Sequence, residues 1–146
     1  VDECDKDDVL ICAANGSMHS GIWGELLSTA ASNRGCVGAI IDGAVRDITK
    51  MTEMGFNVYA RSTCVYDSLN RQRVIAVDEP VQIDGVTFSA GDIVIADNDG
   101  VVVIPQEIED EAIKAAWQKV HSENVTRDAI KNGMLASEVY EKYGVL

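Results

Sequence analysis

Apolar residues first gather at residues 9–14 (VLICAA), a continuous run between Asp7-Asp8 and Asn15-Gly16. Such an unbroken run predicts a short strand covered on both faces, as parallel strands are. The glycine-bearing stretch NGSMHSGIWG that follows predicts a loop. Residues 25–33 (ELLSTAASN) combine helix formers with small side chains, and Arg34-Gly35 supplies a basic last turn and a glycine stop. A second buried strand is expected at 37–41 (VGAII), ending at Asp42-Gly43. Residues 45–54 read as a helix closed by Gly55, and a third strand is expected around 58–60. Strand, helix, strand, helix, strand is the order of a parallel sheet joined by crossovers.

Beyond Arg73 the rhythm changes. Four short β-rich runs are punctuated by Asp84-Gly85, Gly91-Asp92 and Asn98-Asp99-Gly100, which predict tight antiparallel hairpins. Pro105 ends the last run. Residues 107–131 then form an acid-initiated helix in which Ile108, Ala112, Ala115, Ala116, Lys119 and Val120 recur at helical spacing. Gly133 stops it, and a closing helix is expected at 137–143. Met51, Met54 and Trp117 are assigned to the core. The 146 residues suit one α/β domain, 1–146, with no repeat and no interior linker.

Composition narrows the functions. With 12 Lys+Arg against 24 Asp+Glu the formal charge is −12. That repels phosphate backbones, and no basic stripe interleaved with aromatics stands against it, so nucleic acid is set aside as a ligand. No apolar stretch approaches the ~20 residues that cross a bilayer, so no membrane association is expected. Cys4, Cys12, Cys36 and Cys64 are scattered without a CxxC pair, and His19 and His121 lie apart from them, which excludes zinc-ligand spacing. Free thiols point to a reducing, cytoplasmic setting. What acidity does permit is a hard divalent cation on carboxylate oxygens. The first residue is Val1 rather than Met, and removal of an upstream segment is expected.

Candidate chemistry concentrates between Gly24 and Asp47. Both loops there fall at the carboxyl ends of expected strands, the edge where open α/β sheets bind ligands. Arg46-Asp47 can set a guanidinium on a carbonyl or carboxylate and a carboxylate on a metal. The more common role of such a pair is a surface ion pair or a helix-start acid, and Glu25 is likewise more often a first-turn acid. The free amides of Leu26 and Leu27 at a helix start form a cradle for a small carboxylate. Of the rest, His19 reads first as a loop residue, Asp97 and Asp99 as a hairpin turn, and Trp23 and Ile22 as pocket wall or core. Arg61 could face the same crevice. Lys50 could form a Schiff base only if burial lowered its pKa; a solvated helix face is its commoner place.

The runs WGELLSTAASNRGCVGAIIDGAVRD, GDIVIADNDGVVVIP and GMLASEVYEKYGVL, in that order and across nearly the whole chain, resemble the RraA-like family. That family includes 4-hydroxy-4-methyl-2-oxoglutarate and 4-carboxy-4-hydroxy-2-oxoadipate aldolases, oxaloacetate decarboxylases and the regulator of ribonuclease activity A. Its signature is an acid, twenty residues, then Arg-Asp, and Glu25, Arg46 and Asp47 keep that spacing. Lys50 departs from it, standing where the family often has another acid. The resemblance implies a swivelling β/β/α-type fold, with a parallel βαβαβ half followed by antiparallel hairpins and C-terminal helices. It implies homotrimers or homohexamers with sites at subunit interfaces, and an additional N-terminal region before residues 9–14.

For the site, the resemblance implies Mg²⁺ or Mn²⁺ on Asp47, with Glu25 holding metal-bound waters. Arg46 would meet the keto oxygen, and Gly24, Glu25 and the Leu26 and Leu27 amides would meet the rest of a small 2-oxo acid. Glu123 from a neighbouring subunit is the match for a further water-mediated ligand. The activity implied is metal-dependent carbon–carbon cleavage that releases pyruvate, by an aldolase, a decarboxylase or both. The other class of function in the family is a regulator that binds and inhibits a ribonuclease. The methyltransferase label carried by many members fits poorly, because NGSMHSGIWG is too irregular for the glycine-rich turn of a nucleotide-type cofactor site.

Overall fold

The computed structural model describes residues 1–146, which divide into two compact units, Val1–Val103 and Ile104–Leu146. In the first, β1 (Val9–Trp23), β2 (Gly38–Val45) and β3 (Asn57–Thr63) form a parallel sheet in that order, joined by helices α1 (Glu25–Arg34) and α2 (Ile48–Met54). The expected βαβαβ order is therefore present. β2 is central and buried at every position, the reason its sequence is apolar without alternation. Gly35 and Gly55 end the two helices in the left-handed conformation, each amide bonding back to the last turn.

One expectation is corrected in β1. The stretch read as a loop after Ala14 continues the strand to Trp23, with register shifts after Ala13, Ser17 and Gly21. Residues 13–23 of β1 thus run beside only 42–45 of β2. Asp42 makes this detour possible. Buried within β2, it accepts the Gly16 amide at 3.0 Å and pairs with Arg61 of β3, so the bulged backbone has a partner there. Arg61 also reaches Asp84 at 2.7 Å, and these two carboxylates, Asp84 first, raise its already high pKa.

The core beside the sheet comprises Trp23, Ala31, Cys36, Ala39, Ile41, Val45, Met51 and Phe56. Met51 is where the sequence placed it, whereas Met54 is 40% exposed at the end of α2. Strands β4 (Val81–Ile83) and β5 (Val86–Phe88) make an antiparallel hairpin whose Asp84-Gly85 turn has positive φ at both residues, as a type I′ turn requires. A second two-stranded sheet joins β6 (Ile93–Ala96) and β7 (Val101–Ile104), its turn held by Asp97 Oδ1 on the Asp99 amide at 2.8 Å. Asp97 and Asp99 are accordingly turn residues. Gly91-Asp92 does not close a hairpin; it links β5 to β6, which lie in different sheets.

The second unit holds a 3₁₀ turn (Gln106–Ile108), α3 (Glu109–Lys131) and α4 (Ala136–Tyr143). α4 is capped by Glu138 Oε2 accepting the Leu135 amide at 3.1 Å, and Val139 is its buried residue. Trp117, expected in the core, is 60% exposed and stacks on His121 one turn along α3. Ile113, Val120 and Val125 along α3 are likewise exposed.

Candidate active site

The carboxyl ends of β1 and β2 bring Gly24, Glu25, Arg46 and Asp47 together. β1 ends at Trp23, whose carbonyl accepts the Arg46 amide at 2.9 Å, so the two strand ends leave the sheet in step. Asp47 then adopts a left-handed conformation (φ 59°, ψ 33°), which an aspartate tolerates better than most side chains but which still carries strain. An aspartate at that helix start ordinarily caps its own helix. Here Asp47 makes no such bond; its Oδ2 instead accepts the Glu25 amide at 3.1 Å, across the strand ends. The twisted backbone thus turns a local cap into a cross-link between α1 and α2.

Space for that arrangement comes from Gly24. A Cβ there would stand 2.6 Å from Asp47 Oδ2 and 3.0 Å from Arg46 Cγ. Glu25, the first residue of α1, keeps its carboxylate near the helix through Thr29 Oγ1, which donates to Oε1 at 3.2 Å. Leu26 and Leu27 expose their side chains, while their amides belong to the helix start and have no intrahelical acceptor. The cradle read from the sequence is therefore a backbone feature.

Arg46 and Asp47 line an open cavity of about 310 Å³ with Val45, Ile48, Thr63, Cys64 and Val65. The Arg46 Nε lies 3.8 Å from Asp47 Oδ2, a charge contact without a hydrogen bond. Its Nη1 donates to Asp67 Oδ2 at 2.7 Å. That bond raises the Arg46 pKa further and lowers that of Asp67, whose Oδ1 also accepts the Leu69 amide at 2.6 Å. Sequence reasoning passed over Asp67. It sits in the irregular segment after β3, 21 residues from Arg46, where no periodicity marks a partner.

Other candidates fall outside this cluster. Arg61 is engaged by Asp42 and Asp84. His19 is exposed on β1. Lys50 is exposed and pairs with Glu53 at 3.0 Å, on a solvated helix face. Glu123 lies on α3 in the second unit, with Lys119 Nζ 3.5 Å from its Oε1.

Whether a divalent cation suits these residues turns on donor chemistry. No three His, Cys, Asp or Glu side chains converge as a metal cage. Asp47, which lines the open cavity with 43% of its side chain exposed, and Glu25, whose amide it holds, suit a cation that takes one or two carboxylates and keeps waters and substrate oxygens for the rest. Mg²⁺ is of that kind, and Mn²⁺ accepts the same oxygen donors.

Comparison with known proteins agrees with the fold. The family model for RraA-like proteins, described as Aldolase/RraA, matches residues 1–103, and the chain belongs to that family. It is 28% identical over 138 residues to a Halalkalibacterium halodurans protein provisionally named a 4-hydroxy-4-methyl-2-oxoglutarate aldolase, covering 94% of this chain and 65% of that one. The structure of an uncharacterized protein from Pseudomonas syringae pv. tomato superposes with a TM-score of 0.92 at 27% identity, covering 95% and 70% of the two chains. Streptomyces coelicolor RraAS2, described as an unusual member of the RNase ES inhibitor RraA protein family, superposes with a TM-score of 0.76 at 32% identity, covering 86% and 64%. The chain spans less than two thirds of the length of the curated relatives it matches first. Aldolase names and ribonuclease-inhibitor names thus both occur among its relatives. No helix is long and apolar enough to cross a membrane.

Proposed function

We propose that this protein is a divalent-metal-dependent lyase that cleaves a carbon–carbon bond of a small 2-oxo acid and releases pyruvate. One observation carries the reading: Arg46 and Asp47 share a cavity at the strand ends, and Asp47 is bonded to the Glu25 amide at the start of α1. Asp47, with Glu25 through water, would hold the cation. Bound there, Mg²⁺ or Mn²⁺ supplies Lewis-acid stabilisation of the negative charge that develops when the bond breaks. Arg46 adds a second, fixed positive charge at the keto oxygen. The Leu26 and Leu27 amides, at the positive end of α1, orient the carboxylate and so fix the bond to be broken. Glu123 of a neighbouring subunit is proposed to complete the water shell, which requires an oligomer, here proposed to be a homotrimer or homohexamer.

The test is pyruvate release from oxaloacetate and from 4-hydroxy-4-methyl-2-oxoglutarate with added Mg²⁺. Activity is expected to disappear with EDTA and in Arg46→Ala and Asp47→Ala. Release that survives EDTA and is trapped by borohydride as a covalent adduct would replace the metal with an amine mechanism. Sedimentation giving a mass three or six times 15.7 kDa is expected for the assembly. The likeness to RraAS2 favours a second reading, a non-catalytic regulator that binds and inhibits a ribonuclease. Inhibition of ribonuclease cleavage that persists in Arg46→Ala, with no pyruvate released by the unaltered protein, would select it.

A further inference from the structure

The guanidinium of Arg46 stands between two carboxylates and is hydrogen-bonded to only one of them. Asp67 Oδ2 receives Nη1 at 2.7 Å, whereas Asp47 Oδ2 is 3.8 Å from Nε. Without Asp67 the guanidinium would close on Asp47, because a charge-assisted hydrogen bond is stronger than the open contact the two now make. Asp47 would then have an arginine where a cation must sit. Asp67 is well fixed to prevent this. Its Oδ1 accepts the Leu69 amide at 2.6 Å, its carbonyl accepts Arg71 Nη1 at 2.9 Å, and the preceding Tyr66 carbonyl accepts the Gly21 amide of β1 at 2.8 Å. The Arg71 guanidinium also lies over the Tyr66 ring. The segment is thus tied to the sheet at the strand end where Arg46 emerges, and a Cβ on Gly21 would meet the Cys64 carbonyl at 2.5 Å.

We propose that Asp67 is the positioning residue of the site: it holds the Arg46 guanidinium off Asp47 and so keeps that carboxylate open to a divalent cation. The proposal rests on the lyase reading for its cation, but the arginine's position is a property of the metal-free chain. Two measurements separate them. Mn²⁺ binding, followed by electron paramagnetic resonance, is expected to weaken roughly tenfold or more in Asp67→Ala and Asp67→Asn, the scale of a hydrogen bond to a charged group. In an Arg46→Ala background the same Asp67 substitutions should change Mn²⁺ affinity little, since Asp67 acts through the arginine. Equal losses in both backgrounds would overturn the proposal in favour of plain charge attraction.

The second measurement uses no metal. The Arg46 Nε–H signal in ¹⁵N spectra, assigned by its loss in Arg46→Lys, is expected to move in Asp67→Ala as the guanidinium closes on Asp47, and to move back when Asp47→Asn is added. Well-dispersed amide spectra show whether the variants are folded; Asp67→Asn preserves the side-chain shape if Asp67→Ala does not fold. An Arg46 signal unmoved by either Asp67 substitution overturns the positioning role whatever the metal does. If the unaltered protein takes up no Mn²⁺ while the signal moves as expected, the positioning role stands and the metal-dependent reading fails.

Discussion

Asp47 shows how one backbone conformation decides what a side chain can do. Had it taken the extended angles usual for a helix-capping residue, its carboxylate would bond the first amides of α2 and be consumed locally. In the left-handed region it crosses to the Glu25 amide and faces the cavity with Arg46. The arrangement depends on Gly24, where the missing Cβ leaves Asp47 Oδ2 its place. Gly24→Ala is therefore expected to push the carboxylate aside and reduce pyruvate release by about 10²-fold, the scale of a misplacement near 1 Å. A thermal melt close to that of the unaltered protein would separate this from unfolding. Activity within threefold of the unaltered protein would show that the strand ends relax around the added methyl. At this scale the sequence carried the Arg46-Asp47 pair and its twenty-residue spacing to Glu25 openly. It did not carry Asp67, since a pairing made through an irregular segment leaves no pattern in the chain.

Among the elements, β2 was legible as far as Ile41, because burial on both faces demands an apolar run, whereas its continuation through the buried Asp42 to Val45 was not. β1 was legible only as far as Ala14, because its second half pairs irregularly and is satisfied by Asp42 rather than by side-chain alternation. The junction of β1 and α1 depends on a buried polar bond that sequence patterns do not announce. Trp23 Nε1 donates to Ser28 Oγ at 2.8 Å, and both side chains are almost wholly enclosed. Ser28→Ala strands the indole donor away from water and is expected to cost about 1–3 kcal/mol in urea unfolding. Trp23→Phe removes the donor, although it also removes volume. With the donor gone, Ser28→Ala should cost less than in the unaltered chain, and full additivity in the double variant would show that the bond contributes nothing. α3 is a helix as its spacing predicts, yet Trp117, assigned to the core, is exposed, because spacing specifies a face and not what covers it.

For the whole molecule, what the sequence conveyed was the family and the order of elements. Which surfaces meet in an assembly depends on contacts between chains, and no periodicity within one chain encodes them. Stability against pH is also a property of the whole, and here the Cys36 thiol is expected to contribute to its alkaline decline. Cys36 belongs to the core, where burial first, and then the neighbouring Cys4 thiol, push its pKa from an ordinary 9.0 up to about 11. Cys12, between burial and the charge of Asp42, is shifted in the same direction. In the unfolded chain these thiols lose their protons near pH 9, while in the folded one Cys36 keeps its proton until about 11. The folded state then binds more protons, so stability is complete below pH 9 and falls as pH rises toward 11. Urea midpoints measured from pH 8 to 11 should show this decline, and it should be shallower in Cys36→Ala, whose midpoint at pH 8 is lower from lost packing alone. Parallel declines in the two proteins would assign the alkaline limit to other groups and leave Cys36 a packing residue only.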